Sequence, residues 1–76
     1  MIEELATVAL TEDVPEHNLR TGDVGTVVHV YPSGEACEVE FMTIGGMTLN
    51  VVRLEVRQIR LGDAGEMMQA RPLGAA

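Results

Sequence analysis

Lysine and tryptophan are absent from this chain of 76 residues, cysteine occurs once, and Tyr31 and Phe41 are its two aromatic residues. Each shortage removes a class of function. Cys37 alone provides neither an intrachain disulfide framework nor the four ligands of a structural zinc site, so a reducing compartment is the default. Twelve acidic residues against five arginines give a net charge of -7, the wrong sign for holding a phosphate backbone by counterion release. Nucleic acid is therefore not expected as a direct ligand. With two aromatics, stacking platforms for bases and grooves for proline-rich peptides are hard to build. The lone serine, Ser33, lies in a Pro-Ser-Gly turn, no serine, histidine and carboxylate set forms a recognisable motif, and an enzyme is not expected. No run approaches the roughly 18 apolar residues needed to cross a bilayer. Met1-Ile2-Glu3-Glu4 is acidic where a signal peptide is basic. These features point to a soluble, cytoplasmic protein, with no membrane partner and no cofactor.

What is present describes a small all-β domain. A chain this short buries only about 60% of its unfolded surface, so oligomerisation is one natural source of added stability. Leu5 to Leu10 alternates with β-branched residues at its centre and predicts a first strand. Thr11 to Gly22, with Pro15, Asn18 and Gly22, has the composition of an ordered loop, pinned to the core by Val14 and Leu19. Val24 to Val30 is a second strand, entered over a glycine hinge and apolar on both faces for part of its length, as in a strand that bends. Pro32 to Glu35 is a tight turn. Ala36 to Met42 follows with the cleanest alternation in the chain, Cys37, Val39 and Phe41 against Glu38 and Glu40. A second turn at Thr43 to Gly46 leads to a fourth strand at Met47 to Val52. The period of two then slips, which predicts a short helical turn near Leu54 to Arg57 before a brief fifth strand at Gln58 to Leu61. The expected architecture is a small five-stranded SH3-like barrel over residues 1–61, with a flexible or loosely helical tail over 62–76. A five-stranded oligonucleotide-binding-type barrel is the alternative; it usually needs a longer helix between its third and fourth strands.

Val8-Ala9-Leu10-Thr11-Glu12-Asp13-Val14-Pro15, Gly22-Asp23-Val24-Gly25-Thr26-Val27-Val28 and Glu38-Val39-Glu40-Phe41 together resemble the short bacterial proteins of the domain of unknown function 4926 family. The resemblance spans roughly residues 5 to 61. It implies an SH3-like barrel in a bacterial cytoplasm and carries no activity or site residues with it. The Gly22-x-x-Gly25-x-Val27 segment is also similar to the core of KOW-type modules, which are typically basic where this chain is acidic.

Among single residues, Gly22 and Gly25 read as the hinge and bend of a strand, since no lysine or helix follows to make a phosphate loop. His17 reads as an exposed loop residue, His29 as a barrel-surface or partner-facing one, and Cys37 as a small buried hydrophobe. Two histidines and one cysteine assemble no tetrahedral metal site by spacing. Two surfaces remain as candidates for a protein partner. The first is the acidic loop of Glu12, Asp13 and Glu16, opposite in charge to a cluster of Arg53, Arg57 and Arg60 near the end of the chain. The second is an apolar patch around Met42, Ile44, Met47 and Val52, too large for so small a core and expected to pair with another chain unless Met67 and Met68 fold back over it. The functional expectation is a noncatalytic protein-interaction module, self-associating as a homo-oligomer. The alternatives are an antitoxin-like or accessory subunit that covers a basic protein surface, and a KOW-like nucleic-acid binder using the three arginines.

Overall fold

The computed structural model describes residues 2–73. The chain is all-β, with five antiparallel strands in one sheet: β1 (Thr7–Leu10), β2 (Val24–Val30), β3 (Ala36–Met42), β4 (Thr48–Glu55) and β5 (Ile59–Leu61). The spatial order is β4-β3-β2-β1-β5. β4 and β5 are the two edges of this ladder, and a 3-10 turn at Val56–Gln58 joins them. A capping box stabilises that turn, the Gln58 side chain accepting the Glu55 N–H at 2.9 Å.

β1 begins two residues later than its alternation suggests. Leu5 adopts φ 71 and stands 80% exposed, so the chain turns there before it pairs. β2 carries valines on both parities because a bulge between Val27 and His29 resets the register against β3. Before the bulge Gly25 and Val27 face inward; beyond it Val30 packs against the core, and Val28 is left half-exposed. Gly25 is required by close approach, for a Cβ there would lie 2.6 Å from Val39 Cγ1 and 2.8 Å from the Glu40 carbonyl oxygen. β3 follows its alternation: Cys37, Val39 and Phe41 are buried, and burial alone pushes the Cys37 thiol pKa up.

β4 departs from expectation in length and in facing. It continues to Glu55, and Val52 and Leu54 are its buried residues, at 2% and 1% exposure. The cause is a second bulge: Phe41 pairs with Asn50 and Met42 with Thr48, so Leu49 is the extra residue and the parity counted from Met47 inverts. No slip occurs within β4 thereafter, and the helical turn falls at Val56–Gln58, after the strand.

The loop between β1 and β2 is pinned as expected. Val14 and Leu19 are buried and bridge one another through Val14 N–H to Leu19 O at 2.9 Å and the reverse bond at 3.1 Å, closing a 3-10 turn at Pro15–His17. The described residues after Leu61, 62–73, form no helical turn. The segment turns at Ala64 and Gly65, and Gln69 and Arg71 then meet Asp23 at the mouth of β2.

Candidate interaction surface

The acidic loop, the apolar hairpin and the returning tail supply the site. In the loop, Glu12 accepts Arg57 Nη1 at 3.2 Å and Gln58 Nε2 at 3.1 Å, which stitches it to the turn before β5. Asp13 Oδ1 accepts the N–H and the hydroxyl of Thr21 at 2.8 and 2.9 Å, and these bonds hold its carboxyl below the usual range. Both carboxylates therefore shape the loop. Glu16 is exposed on the 3-10 turn, and His17 beside it is exposed and 3.2 Å from Asn50 Nδ2 through its Nδ1.

The arginine cluster is engaged within the chain. Arg57 meets Glu12 and Glu55, Arg60 meets both oxygens of Glu66 at 2.7 and 2.6 Å, and Arg53 lies over the Tyr31 ring at 5.5 Å. Tyr31 in turn donates to Glu38 at 2.5 Å and stands edge-on to His29. No three of the metal-ligating side chains gather in one place among the described residues.

The residues expected to form the apolar patch differ in exposure. Met42, Ile44 and Met47 are exposed at 48%, 93% and 70%, but Val52 belongs to the core, because the bulge at Leu49 turns it inward. Leu49 and Val51, at 40% and 47%, take its place. Met67 and Met68 do not cover the patch; both are exposed. Two donors on the outer edge of β4 are capped locally, Val51 N–H by Asn50 Oδ1 and Glu55 N–H by Gln58 Oε1. That blunts strand addition along this edge.

Sequence reasoning misses one polar centre altogether. Asp23, at the mouth of β2, is the buried acidic residue of the domain. Its carboxylate accepts the Arg20 N–H at 2.8 Å, Gln69 Nε2 at 2.8 Å and two bonds from Arg71, Nε at 2.9 Å and Nη2 at 2.5 Å. Burial works to raise its pKa, yet the hydrogen bonds from Arg71, the Arg20 backbone and Gln69 together bring it below the ordinary value. The same pair raises the pKa of Arg71. One signal in the sequence points here: Arg71 is the lone charge in the stretch from Met67 to Ala76. Beside Asp23 a groove of about 410 Å³ opens between Leu19, Phe41 and Leu49 on one side and the tail, through Ala70 and Leu73, on the other.

The model of the domain of unknown function family DUF4926 matches residues 4–61. The chain belongs to this family. No curated protein and no solved structure matches the chain. The DUF4926 match ends at the last residue of β5, so Asp23 lies inside the family segment and Gln69 and Arg71 lie beyond it. The likeness of Gly22 to Val27 to KOW-type modules is not shown by the family match. Among the described residues, no helix is long and apolar enough to cross a membrane.

Proposed function

We propose that this chain is a noncatalytic protein-interaction module of the bacterial cytoplasm that self-associates through the β3–β4 hairpin. The observation that carries the reading is the run of five exposed apolar side chains on one hairpin: Met42, Ile44, Met47, Leu49 and Val51. Exposed apolar side chains concentrated on one hairpin of a small domain mark a contact face. Because edge donors of β4 are already capped, the contact runs through side chains rather than through an added strand. Burying the patch also supplies apolar area that a domain of 76 residues lacks on its own.

Size-exclusion chromatography with light scattering, over a range of protein and salt concentrations, tests this reading. A concentration-dependent oligomer that persists at high salt agrees with an apolar interface, and a strict monomer at high concentration sinks it. The accessory-subunit alternative, in which Glu12, Asp13 and Glu16 cover a basic surface, retains the net charge of -7 in its favour. It is weakened by the internal engagement of Glu12 and Asp13. Nucleic-acid binding by Arg53, Arg57 and Arg60 meets the same objection, and anisotropy with short RNA at low salt tests it.

A further inference from the structure

We infer that the cleft over Asp23 is a receptor for an arginine presented on an extended peptide of a basic partner protein, and that this chain's own segment from Gln69 to Arg71 occupies it as a built-in competitor. The receptor half belongs to the domain. Asp23 donates its N–H to the Arg20 carbonyl at 2.9 Å, its carbonyl accepts the Leu10 N–H at 2.9 Å, and one carboxylate oxygen accepts the Arg20 N–H. The carboxylate is thus oriented by β1 and by the loop, without help from the tail.

The cleft presents acceptors to its occupant. Besides the Asp23 carboxylate, the Asn18 carbonyl accepts Arg71 Nη2 at 3.0 Å and the Thr21 carbonyl accepts Gln69 Nε2 at 3.3 Å. A guanidinium is a planar fork of donors with no acceptor, so this arrangement selects arginine over lysine. Gln69 and Arg71 are two residues apart, the spacing that places side chains on one side of an extended segment. Gly22, at φ 91, leaves the room Gln69 needs: a Cβ there would stand 2.9 Å from Gln69 Oε1.

The occupant is fastened at the Asp23–Arg71 pair and is otherwise loosely tethered. It lies outside the family segment, on a tether containing Gly62 and Gly65, and the tether is fastened by the exposed pair of Arg60 and Glu66. Exposed ion pairs of this kind contribute little. The groove continues past Arg71 along Leu19, Phe41 and Leu49, while Leu73 remains half-exposed, so a peptide with a better apolar residue at that point has surface to gain. Charge chooses the source. At a net charge of -7 the domain draws in a basic segment of another protein, whereas the tail of a second copy carries one arginine that is already seated on its own Asp23.

The test uses full-length chains and a fluorescent peptide with the sequence of residues 67–73, at protein concentrations where light scattering shows monomer, so that the outcome is independent of self-association. A tethered competitor acts at roughly millimolar effective concentration. Arg71→Ala is therefore expected to bind the peptide at least about tenfold more tightly than the wild type. Replacing the arginine of the peptide by lysine, or adding Asp23→Asn to the Arg71→Ala chain, is expected to abolish that gain. Circular dichroism checks folding, and Arg71→Lys, which keeps the charge and loses the fork, replaces Arg71→Ala if the latter unfolds. Equal binding by wild type and variant, or binding that survives Asp23→Asn, overturns the proposal.

Discussion

Asp23 and Arg71 are 48 residues apart in the chain and joined by two hydrogen bonds of 2.9 and 2.5 Å, with their side chains only 11% and 17% exposed. A pair so placed fastens the tail to the mouth of β2. Removing one partner leaves the other polar group short of its bonds in a largely buried setting, which costs more than an exposed ion pair is worth.

Asp23→Asn is accordingly expected to lower stability by about 1–3 kcal/mol, through the lost charge-assisted bonds to Arg71, Gln69 and the Arg20 backbone. Arg71→Ala costs less, because water reaches the carboxylate once the tail lifts. Urea denaturation of both single variants and of the double variant checks this. The double variant should fall short of the summed losses by on the order of 1 kcal/mol, and strict additivity contradicts a direct pair.

Acid should release the tail before it unfolds the sheet. Glu66 is held down to about 2 from 4.5 by Arg60 and the Asp63 N–H, and Asp23 is held below its ordinary value by Arg71, the Arg20 N–H and Gln69 against the effect of burial. A carboxyl whose pKa is lower in the folded state stabilises that state fully above its unfolded value and loses the effect as pH falls through the folded one. The Glu66 contribution is therefore intact at pH 5 and fades between about 4.5 and 2, and that of Asp23 is likewise lost only as pH falls below the ordinary carboxylate value. Side-chain N–H signals of Gln69 and Arg71, followed by NMR from pH 5 to 2, should lose their dispersion in that window while the amides of Val27 and Val39 stay in place. Tail signals that persist to pH 2 contradict the fastening role.

These features differ in how far the sequence announces them. Strand β3 is legible because Cys37, Val39 and Phe41 alternate with Glu38 and Glu40, and the extra residues of both its ladders, Val28 and Leu49, fall on the neighbouring strands. The same rule misplaces Val52, because alternation carries no mark of the bulge at Leu49 that shifts its facing. The β2 bulge is half legible: valines on both parities demand a bend without locating it between Val27 and His29. Asp23 is illegible to local patterning, since its side-chain partners are 46 and 48 residues away and meet it only when the tail returns. Glu12 and Asp13 look like solvated charge in the sequence because short-range reading hides their bonds to Gln58 and Thr21.

The facing of β4 can be checked by paired truncations. Leu54, at 1% exposure, should lose about 2–5 kcal/mol as Leu54→Ala. Leu49→Ala removes a side chain that is 40% exposed and should lose well under half as much. Equal losses in thermal or urea unfolding would restore the parity counted from Met47 and remove the bulge.

Gly25 and Gly34 offer a second contrast within one chain. Gly25→Ala drives a methyl against Val39 Cγ1 and the Glu40 carbonyl, an overpacking that should cost about 1–3 kcal/mol or more, since the backbone oxygen cannot step aside as a side chain does. At Gly34 nothing stands within 4 Å, and the penalty of Gly34→Ala comes from its φ of 74 alone. The two variants should therefore separate in kind: Gly25→Ala disturbs the core signals of Val39 and Phe41, whereas Gly34→Ala disturbs only the turn from Tyr31 to Glu35. Methyl and aromatic NMR spectra make the comparison, and an unperturbed core in Gly25→Ala counts against the close packing of β2 on β3.

Ile44 is the cleanest probe of the apolar hairpin because it is 93% exposed and lies outside the core, at the rim of the groove beside Asp23. A surface substitution of this kind normally changes stability by no more than about 0.5 kcal/mol, so Ile44→Glu should leave the monomer intact. Its effect on assembly is different in kind, since a carboxylate placed at the centre of an apolar contact must be desolvated without a partner. If Met42, Ile44 and Met47 form the contact, Ile44→Glu shifts the association midpoint upward by at least about tenfold in protein concentration, the equivalent of ~1.4 kcal/mol. Light scattering on wild type and variant at matched ionic strength measures that shift. The control is Glu16→Gln, which alters an exposed charge of the acidic loop; if it disrupts assembly while Ile44→Glu does not, the contact lies on the loop and the hairpin reading fails.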